Sequence, residues 1–265
     1  MEDPFSTWDA HSTEWANSPR DVSSAYVMVQ VSAVSRVPDR RTAASVSGLV
    51  TAWGGTALLI SPVARGLGDP TQLSAALIGQ LVFWLLAGAV LVIVLFWERQ
   101  TLASLWLQPF RWQSIAWGLL FAVVNYAVLF PTGEWVRRTA GLSGFAAGME
   151  EVTRFPLWYR VLAVIGAGVV EEVLFRGFTV TRRIALTGRI WLAATLALLG
   201  FSALHLPLWG WGFAVGSLVG GAAAMAFFVW RRDLLARMVF HTVTDATGLI
   251  VAPLYAQWWK SPAFF

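Results

Sequence analysis

The sequence predicts an all-α fold, a polytopic bundle of about seven transmembrane helices in an integral membrane protein. Hydrophobic residues make up 57% of the 265 residues and charged residues only 13%, whereas a soluble domain carries about 25% charged residues. The mean hydropathy is +0.62. Many of the 16 Trp and 17 Phe residues stand near the ends of apolar runs, as expected of residues at the membrane interface. The chain has no Cys, which excludes disulfides, a cysteine nucleophile and thiolate metal ligands.

The predicted helices are apolar runs whose lengths are near the roughly 20 residues that a bilayer requires. The first run is weak because it contains Gly54, Gly55 and Pro62, and the second is the clearest. The mixed connector at 131–154 has room for an eighth, re-entrant or interfacial piece. The seven runs lie at about 46–64, 75–97, 115–130, 155–180, 190–206, 211–230 and 234–255.

Three regions follow from this pattern. Residues 1–44 are polar, and we expect them to form a tail. They contain no basic region followed by an apolar stretch, so we expect no cleavable signal peptide. Residues 45–258 form the membrane bundle, and residues 259–265 form a short C-terminal tail.

Loop charge predicts the orientation in the membrane. With the N-terminus inside, twelve basic residues, including Arg182 and Arg237, lie in inside regions and five in outside regions, which favours a cytoplasmic N-terminus. The sequence pI of about 10.1 comes almost wholly from Arg, and we interpret this charge as facing anionic lipid, with no nucleic-acid partner. The bias towards Ala, Gly and Arg over Lys indicates a GC-rich bacterium and hence its plasma membrane.

The fourth run contains charged residues at membrane depth, where isolated charges are costly and usually mark a functional site. Glu171, Glu172 and Arg176 lie there among Val, Leu and Phe. On a helix, Glu172 and Arg176 are four residues apart and can pair on one face. Glu171 lies about 100° around the helix and faces elsewhere. A purely structural ion pair would explain Glu172 and Arg176 but not Glu171.

Two more polar clusters lie inside apolar runs. His205 follows Phe201 by four residues, and Asp245 follows His241 by four residues. At about 1.5 Å rise per residue, Glu171 lies roughly 15 Å deep, His205 roughly 22 Å, and His241 and Asp245 roughly 12–18 Å. The similar depths predict one polar site shared by three helices. Its chemistry suits hydrolysis, because a Glu and a His can deprotonate a water while a second His stabilises an oxyanion.

The three clusters, Glu171-Glu172-x-x-x-Arg176, Phe201-x-x-x-His205 and His241-x-x-x-Asp245, resemble the ordered motifs of the CPBP family. This family of intramembrane glutamic endopeptidases includes the type II CAAX prenyl endopeptidases and bacteriocin-processing or self-immunity proteins. The resemblance implies a protease core at about 155–250, which hydrolyses a peptide bond of a membrane-associated protein or peptide.

The resemblance also implies a role for each residue. Glu171 and His205 activate the water, His241 and residue 245 form the oxyanion side, and Glu172, Arg176 and Phe201 support them. Position 245 is often Asn in this family. An ionised Asp cannot donate a hydrogen bond, so Asp245 is also a candidate for orienting His241.

Two short motifs suggest other proteases. Residues 141–148 match the G-x-S-G-x-x-x-G pattern of rhomboid serine proteases, but they lie in a connector, where the helical context of that pattern is lacking. Residues 66–69 imitate the G-x-G-D of intramembrane aspartyl proteases, but Pro70 follows at once and favours a turn.

A zinc-dependent intramembrane metalloprotease is the stronger enzymatic alternative, because Glu171, His205, His241 and Asp245 are all credible Zn²⁺ ligands. The sequence lacks H-E-x-x-H, the helical motif that presents two His to one metal, so we expect no cofactor. The non-enzymatic alternative is a membrane scaffold or immunity protein that binds partners without catalysis.

Overall fold

The structure, a computed structural model of the chain, describes residues 40–61, 66, 68–69, 71–142 and 146–259. These residues form helices and short connections without a strand, so the predicted all-α fold is confirmed for them. Most of the predicted tail, with residues 1–39, and residues 260–265 lie outside the described part. Residues 40–44 of that tail belong to the first helix.

Seven helices follow one another along the described chain. Four of them contain a π-helical segment, in which the hydrogen bonds run from i to i+5. They are α1 (Arg40–Ile60), α2 (Leu73–Val92, π-helical at Ile93–Trp97), α3 (Trp112–Val124, π-helical at Asn125–Leu129, then Phe130–Thr139), α4 (Ala146–Thr153), α5 (Leu157–Gly166, π-helical at Ala167–Phe178, then Thr179–Thr187), α6 (Ile190–Arg231) and α7 (Leu234–Ala246, π-helical at Thr247–Val251, then Ala252–Trp259).

Helix α3 corrects the predicted end of the third apolar run. It continues past Phe130 to Thr139, with Pro131 close behind the π segment at Asn125–Leu129. The predicted connector at 131–154 is therefore helical in its first part. It also contains α4, which at eight residues is about 12 Å long and too short to cross a bilayer.

Helix α6 contains the fifth and sixth predicted runs. Gly210 has φ 72° and ψ 179°, which is outside the helical region, and Pro207 precedes it. The two arms fold back on each other, since a Cβ on Gly221 would lie 2.8 Å from Leu198 Cδ1. Each arm has about 20 residues and is about 30 Å long, the thickness of a hydrocarbon core.

In the described part of the chain, five helical stretches are long and apolar enough to cross a membrane: Arg40–Ile60, Leu73–Trp97, Trp112–Thr139, Ile190–Arg231 and Leu234–Tyr255. Length and apolar character alone do not confirm the predicted count of seven spans. By these two properties, the two arms of α6 form one stretch, and α5 is left out because it is charged. Large apolar side chains cover the outside of the bundle: Trp112 is 77% exposed and Phe96 70%. A surface of this kind suits lipid contact.

A buried polar cluster joins α1, α2 and α5. Arg182 and Glu98 form an ion pair at 2.6 Å, Ser45 donates to Glu98 at 2.8 Å, and Arg182 donates to Ser104 Oγ at 2.9 Å. Arg182 and Arg237 were counted as inside loop charges, but both are buried in ion pairs. Without these two, the predicted inside excess is ten to five, which still favours the same orientation.

Candidate active site

A close contact between α5 and α7 brings the first and third motifs together. A Cβ on Gly168 would lie 2.0 Å from Thr242 Oγ1, so only glycine allows α7 to approach α5 this closely. Thr242 follows His241 directly, and Glu171 and Glu172 lie one turn beyond Gly168. The approach therefore places His241 against both carboxylates.

Glu172 is the centre of the buried charges. Its side chain has no exposed surface, and its Oε1 accepts a hydrogen bond from His241 Nδ1 at 2.7 Å. Arg176 Nη1 lies 3.6 Å from the same oxygen, as the predicted pairing requires. Arg237 Nε lies 3.4 Å from Oε2. Glu172 therefore binds His241 and two guanidinium groups.

His241 contacts carboxyl groups through both ring nitrogens. Nε2 lies 3.5 Å from Asp245 Oδ2 and 3.9 Å from Glu171 Oε2, while Nδ1 is bonded to Glu172. In a neutral ring with its proton on Nδ1, Nε2 would present a lone pair to two carboxyl groups. A proton on Nε2, or on one of these carboxyl groups, relieves the repulsion. Asp245 therefore lies where it can orient His241.

Glu171 faces away from the ion pairs of Glu172, as expected from its position on the helix. Its Oε2 is buried without a hydrogen-bond partner and lies beside a cavity. A buried carboxylate oxygen that accepts no hydrogen bond is costly, and such an oxygen beside a cavity can accept a hydrogen bond from a water or a substrate.

His205 is fixed by its own helix. Nδ1 donates to Phe201 O at 2.8 Å, which leaves Nε2 of the neutral ring as an acceptor. The ring packs on Phe201, with ring centroids 4.4 Å apart, and on Phe213 at 5.4 Å across the break at Gly210. The guanidinium carbon of Arg176 lies 3.8 Å from the centroid of the Phe201 ring. Phe201 thus links the first motif to the second.

The motif residues meet at one cavity of about 390 Å³. Its wall is otherwise mostly apolar, with side chains from α3, α4 and both arms of α6. The Gly residues of the second arm border it, and one of them, Gly216, also contacts α3: its carbonyl oxygen would lie 2.7 Å from a Cβ on Gly133. The charged and histidine residues along the wall are Glu134, Arg137, Glu171, Arg176, His205, Arg237, His241 and Asp245.

Sequence reasoning missed one residue of the site, Arg237. The side chain is 3% exposed and borders the cavity. Its spacing of four residues before His241 would place both on one face of α7, and this was the available signal. It was instead counted as a loop charge because it stands close to the start of the apolar run.

The rival protease motifs gain no support. Ser143, the candidate serine nucleophile, lies outside the described residues. Asp69 is exposed, and its side chain accepts from Thr71 N at 2.9 Å and from Thr71 Oγ1 at 2.8 Å. These bonds form a turn, as predicted. Asp69 is therefore an exposed turn residue, unlike the membrane-embedded catalytic Asp of an intramembrane aspartyl protease.

The positions of the His, Asp and Glu side chains also bear on the zinc-dependent alternative. Within the described residues, no three His, Asp or Glu side chains lie together in an arrangement suited to a metal ion. Two ligands of one tetrahedral zinc lie about 3.4 Å apart, because each is 2.0–2.2 Å from the metal. The distances of 3.5 Å and 3.9 Å from Nε2 of His241 to Asp245 and Glu171 therefore do not by themselves exclude zinc, and chelation decides this point.

Comparison with known proteins matches residues 153–247 to the family described as Type II CAAX prenyl endopeptidase Rce1-like. The matched stretch includes all three motifs, so the predicted resemblance is confirmed over these residues. No curated protein matches the chain, and no solved structure matches it. The candidate spans support an integral membrane protein, and the match shows that residues 153–247 are similar to this protease family.

Proposed function

We propose that the protein is an intramembrane endopeptidase that hydrolyses a peptide bond of a membrane-associated protein or peptide, with a water activated by Glu171 and His205. One observation carries this proposal: Glu171, His205, His241 and Asp245, from three helices, border a single cavity. The family match over the same residues favours proteolysis among the reactions that such a site could catalyse.

The first step assigns the water to Glu171 and His205. The unpartnered Oε2 of Glu171 accepts one hydrogen bond from the water, and Nε2 of His205, whose Nδ1 proton is held by Phe201, accepts the other. Glu171 removes a proton as the water oxygen attacks the scissile carbonyl carbon. The carbonyl π electrons move to its oxygen, which becomes the oxyanion.

The second step assigns the oxyanion to His241. With Nδ1 bonded to Glu172, a protonated Nε2 donates to the developing negative charge, where a fixed donor contributes most. Glu171 then gives its proton to the leaving nitrogen, and the C–N bond breaks to release an amine and a carboxylic acid. Asp245 acts through His241, because a carboxylate without a proton cannot donate to an oxyanion.

The cavity favours a substrate that enters from the bilayer. Its wall is mostly apolar around a few polar groups, as in sites that fix an apolar ligand by a small number of hydrogen bonds. We place the N-terminus in the cytoplasm on the basis of loop charge, and the bias towards Ala, Gly and Arg over Lys favours a bacterial plasma membrane.

A comparison of protein termini tests the proposal. Membranes that contain the wild type should accumulate new termini that are absent from membranes with Glu171→Gln. The matched control is Glu151→Gln, which removes an exposed carboxylate from α4 and should behave as the wild type. Identical termini with the wild type and Glu171→Gln would refute the proposal, and an unchanged cellular phenotype in Glu171→Gln would support the scaffold.

A further inference from the structure

We propose that Arg237 is a positioning residue of the site: it holds the second oxygen of Glu172 so that the first oxygen stays bonded to His241. The proposal rests on the function proposed above for its kinetic consequence. The geometric part can be tested without a substrate.

The two oxygens of Glu172 have different partners. Oε1 serves His241, at 2.7 Å, and Arg176, at 3.6 Å. Oε2 accepts no hydrogen bond but forms an ion pair with Arg237 Nε at 3.4 Å. Arg237 is thus the group that opposes rotation of the carboxylate about its last torsion, which is a soft one.

Without Arg237, the strongest remaining attraction on Glu172 would come from Arg176. A guanidinium binds a carboxylate best through two parallel N–H···O bonds, and rotation of Glu172 into that arrangement would draw Oε1 away from His241. The imidazole would then lose the bond that fixes its Nδ1 proton and its orientation. Arg237 acts on His241 only through Glu172, and therefore it is a positioning residue.

Arg237 is itself held in place. Its guanidinium carbon lies 4.7 Å from the ring centroid of Phe240, whose ring packs on Phe121 at 4.9 Å. Helix α7 lies close to α3 at this level, since a Cβ on Gly118 would lie 2.6 Å from Ala236 O. The contact with Phe240 and the fixed position of α7 favour a guanidinium beside Glu172.

Stability alone does not account for Arg237. Its Nε and Nη1 atoms are buried without a hydrogen bond in the described part of the chain, and unsatisfied charged donors cost free energy. Charge balance does not account for Arg237 either, because Arg176 already lies 3.6 Å from Glu172. In contrast, Arg182 makes hydrogen bonds through Nε, Nη1 and Nη2, so it serves as the matched control.

Imidazole spectroscopy tests the geometric part. The chain has three His, so the ring signals of protein labelled with ¹⁵N-histidine, in lipid nanodiscs, can be assigned with His241→Asn and His205→Asn. We expect a downfield Nδ1 proton signal for His241 that disappears in Glu172→Gln. It should shift or disappear in Arg237→Gln and stay unchanged in Arg182→Gln. An unchanged signal in Arg237→Gln overturns the proposal.

Steady-state kinetics test whether Arg237 affects the rate of cleavage. The substrate is a peptide that spans a cleavage site found by the comparison of termini. We expect Arg237→Gln to lower kcat roughly ten- to a hundredfold, as for residues that orient a functional histidine, with KM unchanged. Arg237→Lys should recover part of the loss. In a Glu172→Gln background, Arg237→Gln should have no further effect, because both changes release the same contact.

The outcomes separate the two proposals. Full activity of Arg237→Gln beside an inactive Glu171→Gln overturns the positioning role and leaves the proposed function standing. Activity of Glu171→Gln refutes the proposed function, while the His241 signal still decides the geometry. If Arg237→Gln does not fold, Arg237→Met, which keeps most of the side-chain volume without the charge, carries the test: a wild-type His241 signal with wild-type kcat would overturn the proposal.

Discussion

His241 donates from Nδ1 to Oε1 of Glu172 across 2.7 Å, and the two residues are 69 positions apart in the chain. The bond joins the first motif to the third. It assigns Glu172 a second partner besides Arg176, and it leaves Nε2 of His241 facing Glu171 and Asp245. Five predictions follow from this arrangement and from the proposed reaction.

Glu171→Gln and His205→Ala should each reduce cleavage to background, because neither residue can activate the water alone. The double variant should be little worse than either single variant, as for residues that act as one unit. Rates of peptide cleavage by purified protein measure this. Losses that multiply in the double variant would show that the two residues act independently.

Asp245→Asn should retain activity or raise it. An amide at this position can donate a hydrogen bond to the oxyanion, whereas an ionised carboxylate cannot. The measurement is kcat for the two proteins at equal folded concentration. A large loss of kcat in folded Asp245→Asn would show that the negative charge beside His241 is required.

Purified protein should stay active after treatment with a chelator and dialysis, since the proposed reaction uses a water held by Glu171 and His205. Activity and bound metal are measured on the same samples. Loss of activity with chelator and its return with Zn²⁺ would contradict this, and would make His205, His241 and Asp245 ligands with Glu171 as the base.

Glu172→Ala should lower the free energy of unfolding by about 3–5 kcal/mol, because it leaves the buried charges of Arg176 and Arg237 without their carboxylate. Arg176→Ala should also lower it, but by less, because Arg237 and His241 still contact Glu172. Glu171→Ala is the matched control, and it should cost less because Oε2 of Glu171 accepts no hydrogen bond. Unfolding in detergent measures the differences. Equal stability of Glu172→Ala and Glu171→Ala would refute the central role of Glu172.

Reporter domains inserted after Gly188 and after Arg232 should be cytoplasmic. Both residues lie in tight turns with positive φ, 66° and 49°, at the ends of α5 and α6, and the basic residues near them favour the inside. The intervals between the predicted runs, at 181–189 and 231–233, are thus shortened to these turns. Either reporter on the outside would reverse the orientation.

The sequence alone determined that this protein is helical and suited to a membrane, and it identified three motifs and their order. Both follow from local information: apolar length sets the helices, and charges among apolar residues stand out because they are costly at that depth. The pairing of Glu172 with Arg176 was predictable for the same reason, since spacing within one helix fixes which side chains are neighbours.

Only the tertiary structure decided which helices meet and through which atoms. The bond from His241 to Glu172 and the contact of Arg237 depend on the close approach at Gly168, which no spacing within one helix encodes. The hairpin at Gly210 brings His205 against Phe213 because a single residue leaves the helical region. Local periodicity predicts which face of each helix is polar and which is apolar. Which residues that face contacts on another helix is set by packing between distant segments of the chain.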